Sequence, residues 1–216
     1  MSNKVDKVDK VIDPINPTDL IDPISPKKAF FLDRDGVVIR EAEYLSSVEG
    51  VHIFKETFKA LKLMKEAGYL IIVVSNQSGV ARGYFEESTI PIIHNHINSE
   101  LKKKSVEVDE FYYCPHHDNG TIEKYSISCE CRKPKTGMFK NAEKDFNIDL
   151  TQSFMIGDKI SDIKAGNNAN MAKSILVKSG HSFNLSPEET EKIVIKNNIL
   201  DATKYLLKLN SNKRII

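Results

Sequence analysis

Two aspartates spaced one residue apart, at the end of a short apolar run, constrain this chain more than any other feature. Phe30-Phe31-Leu32 is short and strongly apolar, which predicts a buried strand. Such a strand delivers Asp33 and Asp35 to its carboxyl end, where open α/β sheets bind ligands. Gly36 follows and lets the backbone turn, so one carboxylate can attack while the other carries protons. The alternative is a plain surface turn, since Asp-x-Asp-Gly also suits a turn.

Strands and helices alternate from Ala29 onward. Apolar runs predict strands at residues 30–32, 69–74, 108–113, 153–156 and 174–177. Helical spacing predicts helices at residues 56–67, 86–104, 136–146 and 160–168, with one or two closing helices in 187–209. Near-continuous apolar strands are typical of parallel sheets covered on both faces. We therefore expect a doubly wound parallel α/β sheet that forms one domain over residues 28–210.

The first 27 residues have a different composition. They contain a repeated Val-Asp-Lys triplet at residues 5–10 and two Asp-Pro-Ile-x-Pro segments at 13–17 and 22–26. Their four prolines argue against a helix or a central strand. We predict a flexible or extended tail over residues 1–27; the alternative is an arm that docks on a neighbouring subunit.

Charge and hydropathy restrict the partners and the location. The formal charge of +1 gives no reason to expect a nucleic acid or an anionic membrane as a partner. No segment approaches the roughly 20 apolar residues of a membrane span, and the N-terminus has no signal-peptide core. We therefore expect a cytoplasmic chain.

Polar residues also follow the second and fourth predicted strands. Ser75 and Asn76 could bind phosphate oxygens, although polar loops are common without a ligand. Asp158 ends the fourth strand, and Asp162 follows four residues later. Because Mg²⁺ prefers a few carboxylates together with waters and substrate oxygens, Asp33 and Asp158 could bind it together. Asp158 could also cap the next helix, with Asp162 solvated, and both interpretations can hold together.

All three cysteines lie in one segment, at Cys114, Cys129 and Cys131, together with the pair His116 and His117. Three cysteines and one histidine make a ligand set suited to tetrahedral Zn²⁺, and a closed set indicates a structural ion. The loop at residues 114–131 has little apolar content, so a metal ion would replace a core in ordering it. Free thiols beside a surface histidine pair are the alternative. Spacing alone does not choose between the two histidines.

Arg132 and Lys133 directly follow the last cysteine. A zinc-ordered loop would hold both cations at a defined place, and a guanidinium can bind phosphate through two hydrogen bonds. Without such a loop, a basic pair is usually solvated.

In their order along the chain, these strings resemble the four motifs of the haloacid-dehalogenase phosphatase superfamily. The strings are Asp33-Arg34-Asp35-Gly36, Ser75-Asn76, Lys133 and Gly157-Asp158-x-x-x-Asp162. Longer strings at residues 75–83, 114–117 and 129–134 resemble its histidinol-phosphatase-like subfamily, which includes heptose-bisphosphate phosphatases. The resemblance covers about residues 29–180. It implies the Rossmann-like fold of that superfamily, with an inserted zinc loop and no large cap.

The resemblance also implies roles for individual residues. The catalytic residues would be Asp33 as nucleophile, Asp35 as acid and base, and Ser75 and Lys133 as phosphoryl ligands. The metal ligands would be Asp33, the Asp35 carbonyl and Asp158 for Mg²⁺, and Cys114, His116, Cys129 and Cys131 for Zn²⁺. Asp162 would support the site. The substrate contacts would be Asn76, Arg82, Arg132 and Lys159.

The expected activity is Mg²⁺-dependent removal of the 7-phosphate of heptose 1,7-bisphosphate, in the supply of precursors for surface polysaccharide. The alternatives are a histidinol-phosphate phosphatase and a catalytically silent module of the same fold. A small sugar phosphate would be the partner, and we expect a monomer. The chain departs from the family at Val37-Val38-Ile39-Arg40, which lacks the usual asparagine, and at Asp118, where a proline is common.

Overall fold

The computed structural model describes residues 25–212, and within that range six strands form one parallel sheet. The strands are β1 (Ala29–Leu32), β2 (Leu70–Asn76), β3 (Glu110–Cys114), β4 (Phe154–Gly157), β5 (Lys173–Val177) and β6 (Val194–Lys196). The helices are α1 (Lys55–Glu66), α2 (Thr89–Lys102), α3 (Gly137–Phe146), α4 (Ile160–Asn168), α5 (Pro187–Lys192) and α6 (Ile199–Asn212). The predicted doubly wound α/β fold is confirmed.

The order of the strands creates a crevice near the middle of the sheet. The order is β3-β2-β1-β4-β5-β6, so β1 lies between β2 and β4. The strand order reverses between β1 and β4, and ligands bind to open α/β sheets at the carboxyl ends of the strands beside such a reversal. Asp33 follows β1 and Asp158 follows β4, so the fold brings both to this crevice. Ser75 lies at the end of the neighbouring β2.

Side chains that alternate along each strand supply a core on both faces of the sheet. Phe30 and Leu32 belong to the apolar cluster that includes residues of α1, α2 and α6. Phe31 belongs to the cluster on the other face, with residues of α3 and α4. Because successive strand side chains point to opposite faces, a strand covered on both sides must be apolar throughout. This explains why the central strands can be predicted from the sequence as continuous apolar runs.

The closing segment contains two helices, α5 and α6, as expected, together with a strand that the sequence does not predict. A short strand, β6, lies between α5 and α6 and pairs in parallel with β5. It has three half-buried residues, Val194-Ile195-Lys196. So short an apolar run has no periodicity that separates a strand from a helical turn. The sheet therefore has an additional edge strand, which β5 separates from β4 and the crevice.

Two long connections lie at the carboxyl edge of the sheet. Residues 33–54 join β1 to α1, and residues 115–136 join β3 to α3; each contains one short 3-10 turn. Neither forms a separate cap domain, in agreement with the prediction. Between residues 25 and 212, no helix is long and apolar enough to cross a membrane.

The predicted tail at residues 1–27 lies outside the described residues, apart from its last three. Of these, Lys27 contacts the domain through its backbone: its N donates to the carbonyl of Asn147 and its carbonyl accepts from Asp149 N, both at 2.8 Å. The contacts of the domain therefore begin one residue before the predicted boundary.

Candidate active site

Asp33 lies at the carboxyl end of β1 and is only 5% exposed. Its backbone N donates to the carbonyl of Ile156 in β4, at 3.0 Å, which fixes the start of the turn. Gly36 has φ of +79°, in the left-handed region that favours glycine. A Cβ at Gly36 would also collide with Asp158 Oδ2. Glycine is therefore needed both for the turn and for the close approach of the two strand ends.

Lys133 is a buried cation that joins two carboxylates. Its Nζ lies 2.8 Å from Asp33 Oδ1 and 2.7 Å from Asp162 Oδ1, and it donates to the carbonyl of Val74 at 2.6 Å. Burial alone would lower the pKa of Lys133, but the carboxylates of Asp162 and Asp33 outweigh it and raise that pKa. The ammonium group is therefore charged at neutral pH and lies directly against the predicted nucleophile.

Asp158 is fully buried and has one oxygen without a partner. Its Oδ2 accepts a hydrogen bond from His181 N at 2.9 Å and lies 2.7 Å from Nδ1 of the same residue. Its Oδ1 has no hydrogen-bond partner in the described part of the chain. Burial and then Asp33 raise the pKa of Asp158, while the bonds from His181 oppose them. A buried carboxylate oxygen left unpaired is costly, and a bound cation would offset that cost.

The carboxylates of Asp33, Asp158 and Asp162 approach one another within 4.8 Å. Asp162 is already engaged: it pairs with Lys133, and its Oδ2 accepts from Lys159 N at 3.0 Å. Asp33 contacts Lys133 through Oδ1, and Asp158 Oδ1 has no hydrogen-bond partner among the described residues, so these two carboxylates can still bind a cation. Because Mg²⁺ uses one or two carboxylates with waters and phosphate oxygens, the donor set fits a magnesium ion.

The alternative reading of Asp158 and Asp162 as a helix cap and a solvated residue is wrong. The N-cap of α4 is Lys159, and Asp162 is 1% exposed. The sequence does not separate the two readings, because an acidic residue near a helix start serves either purpose.

Asp35 has partners of its own. Its carboxylate accepts hydrogen bonds from Arg34 and Gln77, whereas Asp33 contacts Lys133. Asp35 also lines a cavity of about 280 Å³ at the carboxyl edge of the sheet. The two carboxylates therefore have separate environments, as a division between attack and proton transfer requires.

Two predicted substrate contacts lie on this cavity, at Asn76 and Lys159. The amide of Asn76 is also used internally: its Nδ2 donates to the Lys133 carbonyl at 3.1 Å, and its Oδ1 accepts from Lys133 N at 3.0 Å. Asn76 thus fixes the backbone that carries Lys133. Lys159 faces the cavity from the start of α4.

The other two predicted substrate contacts, Arg82 and Arg132, lie beside the cysteine loop. Arg82 Nη2 is 3.3 Å from His117 Nε2, and Arg132 Nη1 donates to the His116 carbonyl at 3.1 Å. Burial, then Arg132 and Arg82, lower the pKa of His117. Both guanidinium groups therefore lie near the His117 ring, and neither of them lines the cavity that Asp35 lines.

Cys114, His116, Cys129 and Cys131 place one ligand atom each within 4.8 Å of the others. The Sγ atoms of Cys114 and Cys129 are 3.5 Å apart, those of Cys129 and Cys131 are 3.2 Å apart, and His116 Nδ1 is 3.3 Å from Cys131 Sγ. A tetrahedral zinc site implies ligand separations of about 3.3–3.8 Å. The donors therefore fit zinc, and His117 contacts Arg82 instead, so the geometry selects His116.

Sequence reasoning missed three residues that contact the aspartates: Arg34, Gln77 and His181. Arg34 and Gln77 lie inside the recognised strings, but nothing in the spacing shows where their side chains point. His181 has a detectable signal, because Ser179-Gly180-His181 follows the fifth strand at the same edge of the sheet.

Comparisons with known proteins agree with this geometry. The sequence model of HAD-hydrolase-like proteins matches residues 130–201. The chain is 37% identical over 179 residues to D-glycero-alpha-D-manno-heptose-1,7-bisphosphate 7-phosphatase of Photorhabdus laumondii, covering 83% of this chain and 96% of that protein. It is 39% identical over 181 residues to D-glycero-beta-D-manno-heptose-1,7-bisphosphate 7-phosphatase of Haemophilus ducreyi, covering 83% and 98%.

Solved structures with the same fold include two phosphatases. A HAD-like phosphatase of Mesorhizobium loti matches with a TM-score of 0.71 and 30% identity, over 84% of this chain and 88% of that chain. The D,D-heptose 1,7-bisphosphate phosphatase of B. bronchiseptica, complexed with magnesium and phosphate, matches with a TM-score of 0.70 and 25% identity, over 84% and 98%. The similarity thus spans most of the length of each solved chain and 84% of this one.

Proposed function

The chain belongs to the heptose-1,7-bisphosphate 7-phosphatase family of HAD-like hydrolases and is a phosphoric monoester hydrolase; from this premise we propose that it removes the 7-phosphate of a D-glycero-D-manno-heptose 1,7-bisphosphate. The observation that carries the proposal is the buried Lys133–Asp33 pair beside the unpartnered oxygen of Asp158. The proposed reaction would contribute to the synthesis of nucleotide-heptose, a precursor of surface polysaccharide.

Asp33 and Asp35 divide the chemistry. Asp33 attacks phosphorus and forms an aspartyl-phosphate while the bond from phosphorus to the sugar oxygen breaks. Asp35 gives its proton to that leaving oxygen and then takes one from the water that hydrolyses the intermediate. A bound magnesium ion, held by Asp33, Asp158 and the Asp35 carbonyl, would neutralise phosphoryl charge.

Lys133 and Ser75 hold the group in transfer. Lys133 Nζ lies against Asp33 Oδ1, where negative charge on the phosphoryl oxygens develops. Ser75 Oγ accepts from Gln77 Nε2 at 2.6 Å, which leaves the serine hydroxyl hydrogen available for a phosphoryl oxygen. Both groups are buried and held by the end of β2, so little reorganisation is needed when phosphate binds.

A bisphosphate also needs a site for the phosphate that is not transferred. Arg82 and Arg132 lie beside the cysteine loop, and Lys159 lines the cavity. Arginine binds phosphate through paired donors, so these cations suit the 1-phosphate. They distinguish the proposed substrate from a small monophosphate.

The cysteine loop would hold one structural zinc ion through Cys114, His116, Cys129 and Cys131. Its donor set is closed and all protein, which is typical of structural zinc sites. The ion would supply the folding energy that the polar loop lacks and would thereby place Arg132 and Lys133.

The test of the substrate is phosphate release, with Mg²⁺ present, from the alpha and beta anomers of heptose 1,7-bisphosphate, histidinol phosphate and 4-nitrophenyl phosphate. We expect kcat/KM for one heptose anomer to exceed that for histidinol phosphate by at least about 100-fold, since two phosphate-binding ends are worth more than one. A preference for histidinol phosphate would overturn the substrate assignment and leave the hydrolytic mechanism intact.

Arg132→Ala should weaken handling of the bisphosphate more than that of 4-nitrophenyl phosphate. Losing one charge-assisted contact is worth about 1.5–3 kcal/mol, so we expect a drop in kcat/KM of roughly 10- to 150-fold on the bisphosphate alone. Lys135→Ala is the matched control, because Lys135 lies on the same loop and pairs with the exposed Glu130. Equal losses on both substrates would instead assign Arg132 to the loop, through its bond to the His116 carbonyl.

A further inference from the structure

Asp35 is held by a buried arginine that precedes it in the chain. Arg34 is 1% exposed, and its Nε and Nη2 donate to both carboxylate oxygens of Asp35 at 2.9–3.2 Å. A buried guanidinium is costly unless it is paired and fully hydrogen-bonded. The arginine and the carboxylate therefore fix each other in one arrangement.

Gln77 connects this pair to the phosphate-binding end of β2. Its Oε1 accepts from Arg34 Nη2 at 2.9 Å, and because arginine only donates, the orientation of the amide is determined. The two hydrogens on Nε2 are then directed to Asp35 Oδ2, at 3.0 Å, and to Ser75 Oγ, at 2.6 Å. One amide group thus sets the position of Asp35 relative to Ser75.

His94 supports the arginine from α2. Its Nε2 lies 3.5 Å from Arg34 Nη1, and its ring stacks on Phe111 with centroids 4.5 Å apart. Burial, then Arg34, lower the pKa of His94 to about 3, so the ring is neutral and Nε2 can accept from the guanidinium. The chain of contacts therefore runs from α2 and β3 to Asp35.

We infer that Gln77 and Arg34 are positioning residues for proton transfer: they hold the Asp35 carboxylate where it meets the leaving oxygen of a phosphoryl group bound at Ser75. The inference rests on the proposed role of Asp35 as acid and base. Proton transfer requires the donor within hydrogen-bond reach of the leaving oxygen, and a misplacement of about 1 Å costs roughly 100-fold in rate. An aspartate without these bonds would sample several rotamers.

The test compares leaving groups. Gln77→Met keeps the length of the side chain and removes its hydrogen bonds to Arg34, Asp35 and Ser75. A sugar alkoxide needs a proton to leave, whereas 4-nitrophenolate does not, and kcat/KM reports phosphoryl transfer to Asp33 for both. We expect Gln77→Met to lower kcat/KM on the sugar bisphosphate by about 10- to 100-fold more than on 4-nitrophenyl phosphate. Weaker phosphate binding through Ser75 would lower kcat/KM on both substrates by the same factor, so this effect cancels in the ratio.

Asp35→Asn is the reference variant, because it removes the acid itself. It should also lower kcat/KM more on the sugar bisphosphate than on 4-nitrophenyl phosphate, and by a larger factor than Gln77→Met does. If Asp35→Asn lowers kcat/KM on both substrates by the same factor, the acid role in the proposed function fails. If Asp35→Asn changes the ratio of kcat/KM values between the two substrates but Gln77→Met does not, the positioning role of Gln77 is wrong.

Thermal unfolding checks that each variant is folded. Should Gln77→Met not fold, Gln77→Glu decides the same question: it keeps the volume and the acceptor for Arg34 but removes both donated bonds. It should show the same change in the ratio of kcat/KM values. An unchanged ratio in the folded Gln77→Glu protein would overturn the inference.

Discussion

Asp33→Asn is expected to abolish phosphate release while the protein remains folded. An amide is nearly isosteric with the carboxylate but cannot attack phosphorus, so no aspartyl-phosphate forms and kcat should fall by at least about 10⁴-fold. The fold should persist because Lys133 keeps Asp162 as an ion-pair partner at 2.7 Å and the carbonyl of Val74 as an acceptor. The measurement is phosphate release at saturating substrate and Mg²⁺, with thermal unfolding recorded on the same sample.

A matched control separates loss of the nucleophile from general damage. Asp109 also pairs with a lysine, Lys65, at 2.6 Å, but just before β3, away from the carboxyl edge. Asp109→Asn should cost some stability, because Asp109 also accepts a hydrogen bond from Ile71 N at 2.7 Å, and it should leave kcat within about 2-fold of the wild type, because the pair lies away from the site. Turnover by Asp33→Asn within about 100-fold of the wild type would show that another group attacks phosphorus.

The parts of the site that could be predicted are those that depend only on strand order. Asp33 and Asp158 each follow an apolar run, and parallel strands that share a sheet bring such residues to one edge. No knowledge of side-chain direction is needed for this step. The same reasoning would have found His181 after β5, had the polar segment following that strand been treated like the others.

The parts that could not be predicted depend on contacts between residues far apart in the sequence. Asn76 bonds the backbone of Lys133, which is 57 positions away, and Arg34 meets His94 at a separation of 60 positions. A short string shows which groups are present, but not which of them are already satisfied by the fold. For the same reason β6 was missed, because a three-residue edge strand is specified by its neighbour and not by its own pattern.

Loss of a zinc ligand is expected to have the second large effect on activity. The cause would be disorder of the cysteine loop and not the loss of a group that takes part in the reaction. Lys133 lies two residues after Cys131, so an unordered loop would release the cation that contacts Asp33. His116→Ala and Cys129→Ser should reduce bound zinc from about one ion per chain to below about 0.2, and should lower both the unfolding temperature and kcat. The measurement is elemental analysis after dialysis, together with unfolding and phosphate release.

His117→Ala is the control for that experiment, since His117 neighbours His116 but contacts Arg82 instead of the thiols. It should retain zinc and the unfolding temperature of the wild type, whatever it does to substrate handling. The reverse result, zinc lost with His117→Ala and kept with His116→Ala, would assign the ligand to the other histidine. Wild-type protein with no zinc and three freely titrating thiols in the folded state would contradict the structural site altogether, because a closed set of deprotonated ligands does not react like free cysteine.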